Sequence, residues 1–296
     1  MIICILGPTA SHKSALASLT ASLFNADIIN FDAFQIYKEL NIGTAKPSKD
    51  ELKDPKYKMY DVVSINEEYS VSRYQHDVRP LIDNCNNHIL VGGTGLYLKA
   101  LLFDYKFDEE DPMPKDYLSS FSNDELYSKL EQIDKEDALK IGRNNRKRLV
   151  RALYIYNTHG VNKTTLNENK KDNLLYKNVY FIGINPPRAE LYDSINKRVD
   201  EMFSLGLEDE IKYLFSTYSK DLRALQAIGY KEFNITSNSE EAKELIKKNT
   251  RNYAKRQLTF FKHQFKDVIW FNSYTEAYSY LKEHKDEFRW SYKIID

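Results

Sequence analysis

The chain has 296 residues, with 43 Lys or Arg balanced by 43 Asp or Glu and a 42% apolar content, which suits one large domain or two modest ones and excludes global disorder. A net charge of zero excludes a uniformly basic nucleic-acid binder, so any polyanion must meet a local patch. Two cysteines, Cys4 and Cys85, cannot build a disulfide framework or a four-cysteine metal centre and suit a reducing compartment.

"MIICIL", Met1 to Leu6, is an apolar run without a basic leader and reads as a buried strand. No stretch approaches the length of a membrane span, so a cytoplasmic protein with no membrane attachment is expected. "GPTASHKS", Gly7 to Ser14, follows the strand and leads into the helical pattern "KSALASLTASLF". It differs by one residue from the phosphate-loop pattern G-x-x-x-x-G-K-[ST], with His12 in place of the second glycine. In such a loop successive N–H groups point inward and the helix adds its positive end, while Lys13 would meet phosphate oxygens and Ser14 a magnesium ion. Without a ligand the same stretch is an ordinary strand–helix turn. Position 12 calls for φ > 0, which glycine adopts freely and His does not; strain of that kind costs about 1–3 kcal/mol.

"ADIINFD" is a second short strand, ending in Asp32. A carboxylate there serves as a general base or supports a magnesium shell, or else it caps a helix; position alone does not choose. "HILVGG", His88 to Gly93, is a third strand, and "LYLKALLF" resumes as a helix. "VGGTG" reads as a second anion nest in which Thr94 offers a hydroxyl. No acid ends this strand, which counts against an ATPase or a simple kinase. Strands alternating with helices imply a parallel sheet covered on both faces, and ligands of such sheets sit at the carboxyl ends of the strands, where these three loops converge.

The pattern changes at Asp104. An acidic, proline-punctuated stretch follows, and no strand is evident until "NVYFIGI" at Asn178. Residues 109–176 read as a helical insertion, leaving 1–108 and 177–296 as the core, which is mostly helical again after Ile184. Two basic runs lack acids. "RNNRKRLVR", Arg143 to Arg151, carries five basic residues, with Leu149, Ala152, Leu153 and Tyr156 opposite Lys147 and Arg151 on a helix. Lys247 to Lys266 carries seven, and Arg251, Lys255, Lys262 and Lys266 fall within a stripe of roughly 60°. Ala254, Leu258, Phe261 and Phe265 form the adjacent buried face. A single basic run is commonly a solvated face; two in a neutral chain favour a polyanionic partner.

Read together, these stretches resemble the tRNA dimethylallyltransferase (tRNA isopentenyltransferase) family. The matches are "GPTAS.KS", "D.FQIYKELNIGTAKP" (Asp32–Pro47), "VGGTGLYLKALL" (Val91–Leu102), "RKRLVRAL" (Arg146–Leu153), "LYDSINKRVDEMF" (Leu191–Phe203), "QAIGYKE" (Gln226–Glu232) and "RNYAKRQLTFF" (Arg251–Phe261). The resemblance implies an α/β fold: a P-loop NTPase-like parallel sheet core plus an all-helical insertion domain that binds tRNA. It implies magnesium-dependent transfer of a dimethylallyl group from its diphosphate to the exocyclic amine of the adenine 3′ of the anticodon, by a monomer. By the same resemblance Asp32 is the catalytic base, with Thr94 and Arg198 beside it. Gly7, Thr9, Ala10, Ser11, His12, Lys13, Ser14, Thr94 and Arg198 bind the diphosphate, and Ser14 holds the metal. Asp32, Ala33, Phe34, Gln35 and Lys46 meet the tRNA near the target base. Lys147, Arg148 and Arg151, with Arg251, Lys255, Arg256 and Lys262, grip the anticodon arm.

Several positions depart from the family pattern. His12 replaces the loop glycine, Ala33 a serine and Ser194 a frequent arginine one turn before Arg198. Tyr117 stands about where an arginine is expected, and Asn145 and Tyr154 where Asp and Glu are common. Two competing readings remain: a phosphate-loop kinase or ATPase for a small molecule, and a tRNA-binding homologue with impaired catalysis.

Overall fold

Short β-branched runs flanked by loops form a single parallel sheet. The computed structural model describes residues 1–82, 86–104, 113–114, 116–160 and 173–288. In chain order the strands and α-helices are β1 (Ile2–Leu6), α1 (Lys13–Phe24), β2 (Ala26–Asn30), β3 (Tyr57–Lys58), α2 (Val71–Val78), β4 (Asn87–Val91), α3 (Gly95–Leu102), α4 (Asn123–Ile133), α5 (Lys135–Ile141), α6 (Arg146–His159), β5 (Val179–Ile184), α7 (Arg188–Ser204), α8 (Leu207–Thr217), α9 (Ser239–Gln264), β6 (Val268–Phe271) and α10 (Tyr274–Glu283). Two strands, β3 and β6, escaped the sequence reading. The first has two residues, too few for any period, and the second is a short apolar run between two helices.

The chain divides into two compact units, residues 1–102 with 176–296, and residues 103–175. The sequence reading began the insertion at 109, which lies outside the described residues, and ended it at 176, which falls in the first unit.

The first unit holds the six-stranded sheet, in the order β3-β2-β4-β1-β5-β6. Every pair is parallel, so all strand carboxyl ends lie on one edge. Ile3 and Ile5 of β1 join Ile28, Ile89, Val91, Ile182 and Ile184 in one apolar layer, covered by Leu16 and Ala17 of α1 and by Ala277 and Leu281 of α10. The alternate residues Cys4, Leu6 and Leu90 are equally buried on the opposite face, where Tyr74 of α2 donates its hydroxyl to the Asn30 carbonyl at 3.0 Å. Both faces being covered, the strands need no polar alternation, which is why "MIICIL" reads as continuous apolar sequence.

In the second unit, α4, α5 and α6 pack around Leu126, Tyr127, Leu130, Ala138, Leu149, Val150, Ala152 and Leu153. Ser122 and Glu125 form a capping box at α4, Asp134 caps α5, and Asn145 accepts the Arg148 N–H to cap α6. Helix α6 buries more of its circumference than the sequence pattern suggested, including Val150, Tyr154 and Ile155. Tyr156, expected on the apolar face, is instead 37% exposed. The basic run on this helix also divides. Lys147, Arg148 and Arg151 are exposed. Arg146 turns inward and donates to the carbonyls of Leu118, Ser119 and Phe121 at 2.6–3.1 Å, tying the preceding turn to the helix.

Replacing Arg146 with Met keeps the side chain's bulk but leaves those carbonyls without their donor. The expected cost is about 1–3 kcal/mol. Limited proteolysis should show faster cleavage in the 118–123 turn, with the first unit unaffected; an unchanged cleavage rate would remove this structural role from Arg146.

Candidate active site

Strands β2, β4 and β1 are neighbours, so Asp32, Gly92–Gly93 and the phosphate loop emerge side by side at the carboxyl edge. The loop alternates its backbone. Ala10 and His12 both have φ 61°, and His12 is the N-cap of α1 with ψ 28°. Such alternation turns successive N–H groups to one side, as an anion cradle requires. The strain anticipated at position 12 is therefore real. The exposed imidazole lies 5.4 Å, centroid to centroid, from the ring of Tyr274 at the start of α10.

The glycines of "VGGTG" differ. Neither Gly92 nor Gly93 has positive φ, and the Gly93 carbonyl accepts from Tyr253 Oη at 3.2 Å and Gln257 Nε2 at 3.0 Å. The segment is thus not a second anion nest, because a nest needs left-handed residues. Its glycines permit close packing: a Cβ on Gly93 would lie 2.6 Å from Gln257 Nε2 and 2.9 Å from Asp32 Oδ2. Thr94 accepts the Ala33 N–H at 3.0 Å and so fixes the segment after Asp32.

A cavity of about 600 Å³ opens over the loop. Lys13, Ser14, Asp32, Gln35, Arg198 and Tyr253 are among the residues that line it, as are Thr9, Ala10, Ser11 and His12. A second cavity of about 120 Å³ shares Thr9, Asp32, Thr44, Arg198 and Tyr253 and is otherwise largely apolar, with Phe34, Ile195, Val199, Met202 and Ile246 in its wall. Asp32 has a double role: its Oδ1 accepts the Phe34 N–H at 3.0 Å, as a cap would, and the same carboxylate lines both cavities. Lys13 Nζ donates to the Pro8 carbonyl at 2.5 Å, and Arg198 donates to Thr9 Oγ1 at 3.2 Å and the Thr44 carbonyl at 3.5 Å.

The electrostatics are those of a desolvated cationic pocket. Burial, then the Arg198 charge, lower the pKa of Lys13 to about 7, against the opposing pull of Asp32. Burial lowers that of Arg198 as well, with Asp32 and Glu201 opposing. Desolvation raises the Tyr253 hydroxyl above the usual phenol range and keeps it a donor.

Several expected residues have other partners. Lys46 is buried, 2% exposed, and pairs with Asp61 at 2.6 Å while donating to the Tyr37 carbonyl; its ammonium is committed within the fold and is not offered to a phosphate. Gln35 spends its Nε2 on the carbonyls of Thr44 and Ala45, which leaves its Oε1 as the remaining polar group at the cavity. Arg251 donates to Asn196 Oδ1 at 2.7 Å, whereas Lys255, Arg256 and Lys262 are exposed. At the start of the α9 run Lys247 pairs with Asp200 of α7, which also pairs with Lys243 just before the run.

Two residues without any sequence signal of their own organise the site. Gln257, 4% exposed, accepts the Thr9 N–H at 2.8 Å as well as donating to Gly93, which joins the β1 loop to the β4 loop. It lies inside "YAKRQLT", where the basic residues drew attention instead. Glu210 of α8 accepts from the N–H groups of Ile42 and Gly43 and from Tyr230 Oη at 2.7–3.2 Å. It thereby holds the segment whose carbonyls orient Gln35 and Arg198. The departures Tyr117 and Tyr154 meet each other, their rings perpendicular at 5.2 Å, and Asn157 donates to Tyr117 Oη.

The profile of the IPP transferase family matches residues 35–264. The chain is 39% identical to a tRNA dimethylallyltransferase of Bacillus cytotoxicus over 285 residues, covering 92% of this chain and 90% of that protein. It is also 39% identical to the tRNA dimethylallyltransferase of Anoxybacillus flavithermus, with the same coverage of each chain. Among solved structures, a tRNA delta(2)-isopentenylpyrophosphate transferase from Staphylococcus epidermidis superposes with a TM-score of 0.70 at 32% identity, covering 97% of this chain and 99% of that one. A eukaryotic dimethylallyltransferase acting on tRNA superposes with a TM-score of 0.82 at 27% identity, covering 99% and 81%.

An anion entering the cavity should restore the charge of Lys13, so the complex holds more protons than the free protein above pH 7. Affinity for magnesium diphosphate should therefore fall as pH rises from about 7 to 9, beyond the ligand's own titration. Calorimetry at pH 8 in buffers of different ionisation enthalpy should show proton uptake that Lys13→Met lacks; equal uptake by both would overturn the depressed pKa.

His12→Gly addresses the strained cap. Relief of its strain only on binding would tighten diphosphate by about 5–150-fold. The left-handed geometry is instead part of the fold, held by the Leu16 N–H to His12 carbonyl bond at 3.1 Å. Bound and free states share the strain, so the expected change is under about 5-fold; a larger gain by titration would show that the loop rearranges.

Proposed function

This chain belongs to the IPP transferase family, and on that premise we propose how its residues carry out tRNA dimethylallylation. The observation that carries the reading is the sharing of Asp32 and Arg198 between two cavities, one polar and cationic, the other largely apolar. A kinase or ATPase needs no such apolar neighbour, and β4 ends in glycines where nucleotide hydrolysis commonly places an acid.

The donor is dimethylallyl diphosphate. Its diphosphate lies over the Gly7–Ser14 loop, met by backbone N–H groups, Lys13 and Arg198. The target adenine leaves its stack and meets the donor beside Asp32. The exocyclic amine is a weak nucleophile because its lone pair is delocalised into the ring. Asp32 accepts a proton from that nitrogen as the new N–C bond forms and the C–O bond to diphosphate breaks. The electron pair leaves with the diphosphate, whose growing charge is met by fixed donors already in place. Gln35 Oε1 accepts from the same amine and favours adenine. Thr94 acts through the Ala33 N–H, holding the Asp32 turn in position.

Magnesium fits this set as a shared ion. Among the described residues no cluster of three acids or histidines could hold it alone. The Ser14 hydroxyl and the ligand's own oxygens would carry it, and the ion would neutralise leaving-group charge. Lys147, Arg148 and Arg151 of α6, and Lys255, Arg256 and Lys262 of α9, meet phosphates of the anticodon arm. No helix among the described residues is long and apolar enough to cross a membrane; a cytoplasmic monomer is the proposed form.

Asp32→Asn should keep tRNA and diphosphate binding but slow single-turnover transfer by about 10²–10⁴-fold. Mass spectrometry of digested tRNA for isopentenyladenosine measures this. A near wild-type rate would remove Asp32 as the base, and no product from the wild-type protein would overturn the function itself.

A further inference from the structure

The carboxyl ends of β5 and β6 lie on the same sheet edge as the phosphate loop, and they form a pocket that the reaction does not use. It has a volume of about 490 Å³ and is lined by Asn185, Pro186 and Pro187 after β5, Asn272 after β6, and Arg188, Leu191 and Tyr192 of α7 with Lys255 and Leu258 of α9. No acid lines it, and it carries two cations. Arg188 and Lys255 flank Tyr192, and the Arg188 guanidinium lies over its ring at 5.2 Å. Desolvation pushes the Tyr192 hydroxyl's pKa up, but the two neighbouring cations outweigh it and the net direction is down. Neither cation forms an ion pair among the described residues. On the same helices Lys197 pairs with Asp193, and Lys243 and Lys247 with Asp200.

With no acid in the lining and no ion pair of their own among the described residues, both cations are open to an anion, and the phenol adds a hydroxyl donor. The pocket therefore offers three kinds of donor, from guanidinium, ammonium and hydroxyl, above an apolar floor of prolines and leucines. The ligand such a set fits is a phosphate attached to a less polar group. Base stacking is disfavoured, since the guanidinium groups of Arg188 and Arg251 already lie over the Tyr192 ring at 5.2 and 5.9 Å. Recognition then rests on the backbone, not on base identity. The floor is continuous with the loop: Ala10, Tyr192 and Leu258 all pack against the small cluster of Leu191, Ile195 and Ala254.

We propose that the Arg188–Tyr192–Lys255 pocket binds one nucleotide phosphate of the tRNA outside the reaction cavity, with its ribose against Pro186, Pro187 and Leu258. The tRNA as its source rests on the function proposed above. A free nucleoside monophosphate offers the same chemistry, and the experiment separates the two.

Filter binding of an unmodified anticodon stem–loop RNA, from 50 to 300 mM salt, would compare the wild type with Arg188→Ala and Tyr192→Phe. Lys212→Ala, an exposed position on α8, serves as control for simple loss of charge. Loss of one phosphate contact should weaken binding roughly 3–6-fold near 0.15 M salt and make the salt slope shallower by about 0.7–1 for Arg188→Ala. Tyr192→Phe keeps the ring packing and should weaken binding less, by removing only the hydroxyl donor. Diphosphate affinity should be unchanged in both variants. In parallel, labelled protein is titrated with AMP to millimolar concentration and followed by NMR.

Weaker stem–loop binding by Arg188→Ala but not Lys212→Ala, without AMP binding, supports the site with tRNA as its source. AMP binding that Arg188→Ala loses, with RNA binding intact, keeps a phosphate site but overturns the tRNA source. Unchanged RNA affinity and salt slope together with no AMP binding overturn the site. Because product formation by the wild-type protein is read separately, failure of this pocket and failure of the proposed reaction give different results.

Discussion

The buried amide of Gln257 holds together the parts on which the site depends. Its oxygen accepts from Thr9 in the loop after β1, and its nitrogen donates to Gly93 in the loop after β4. A buried amide satisfied at both ends favours one arrangement, because any shift leaves a polar group unpaired at about 1–3 kcal/mol. Asp32 follows, since its carboxylate oxygen and the Gln257 amide both crowd the face of Gly93 where any side chain would project. The loop, the carboxylate and the long helix α9 are thus registered by one residue whose amide is spent on the backbone of two loops.

Around that frame the cations are kept under tension. Lys13 and Arg198 are both desolvated and repel each other, and Asp32 offsets only part of the cost. A pocket arranged this way gains most from a ligand that brings several negative oxygens, and it gains more as charge grows on the leaving group. Glu210 works at one remove. By fixing residues 42 and 43 it presents the Thr44 carbonyl to Gln35 and Arg198, so that donors for both ligands take their orientation from one short segment.

The departures from the family pattern acquire partners in three dimensions. Tyr117 and Tyr154 stand where opposite charges are expected, and here they form a perpendicular aromatic pair worth about 0.5–1.5 kcal/mol beyond their burial. His12 keeps the glycine geometry and rests near Tyr274. Asn145 caps α6 by accepting the Arg148 N–H, a task an aspartate side chain could also perform. In each case the side chain present finds a partner of its own within the fold.

The sequence alone determined the phosphate loop, the strand ends at Asp32 and Gly93, the parallel α/β core and the helical character of the insertion. These are legible because their causes are local: apolar periodicity, a glycine-bearing turn, an acid at a strand terminus. Tertiary structure decided the rest. Whether a lysine has an acid beside it is not written in its own stretch: Lys46 meets Asp61, fifteen residues on, and Lys247 of the α9 run meets Asp200 of α7. Gln257 and Glu210 gave no signal because their bonds span 248 and 168 residues, and no local pattern encodes a partner at that distance. The glycines of "VGGTG" were seen but misassigned, since close packing and anion binding call for the same residue, and only the backbone angles tell them apart.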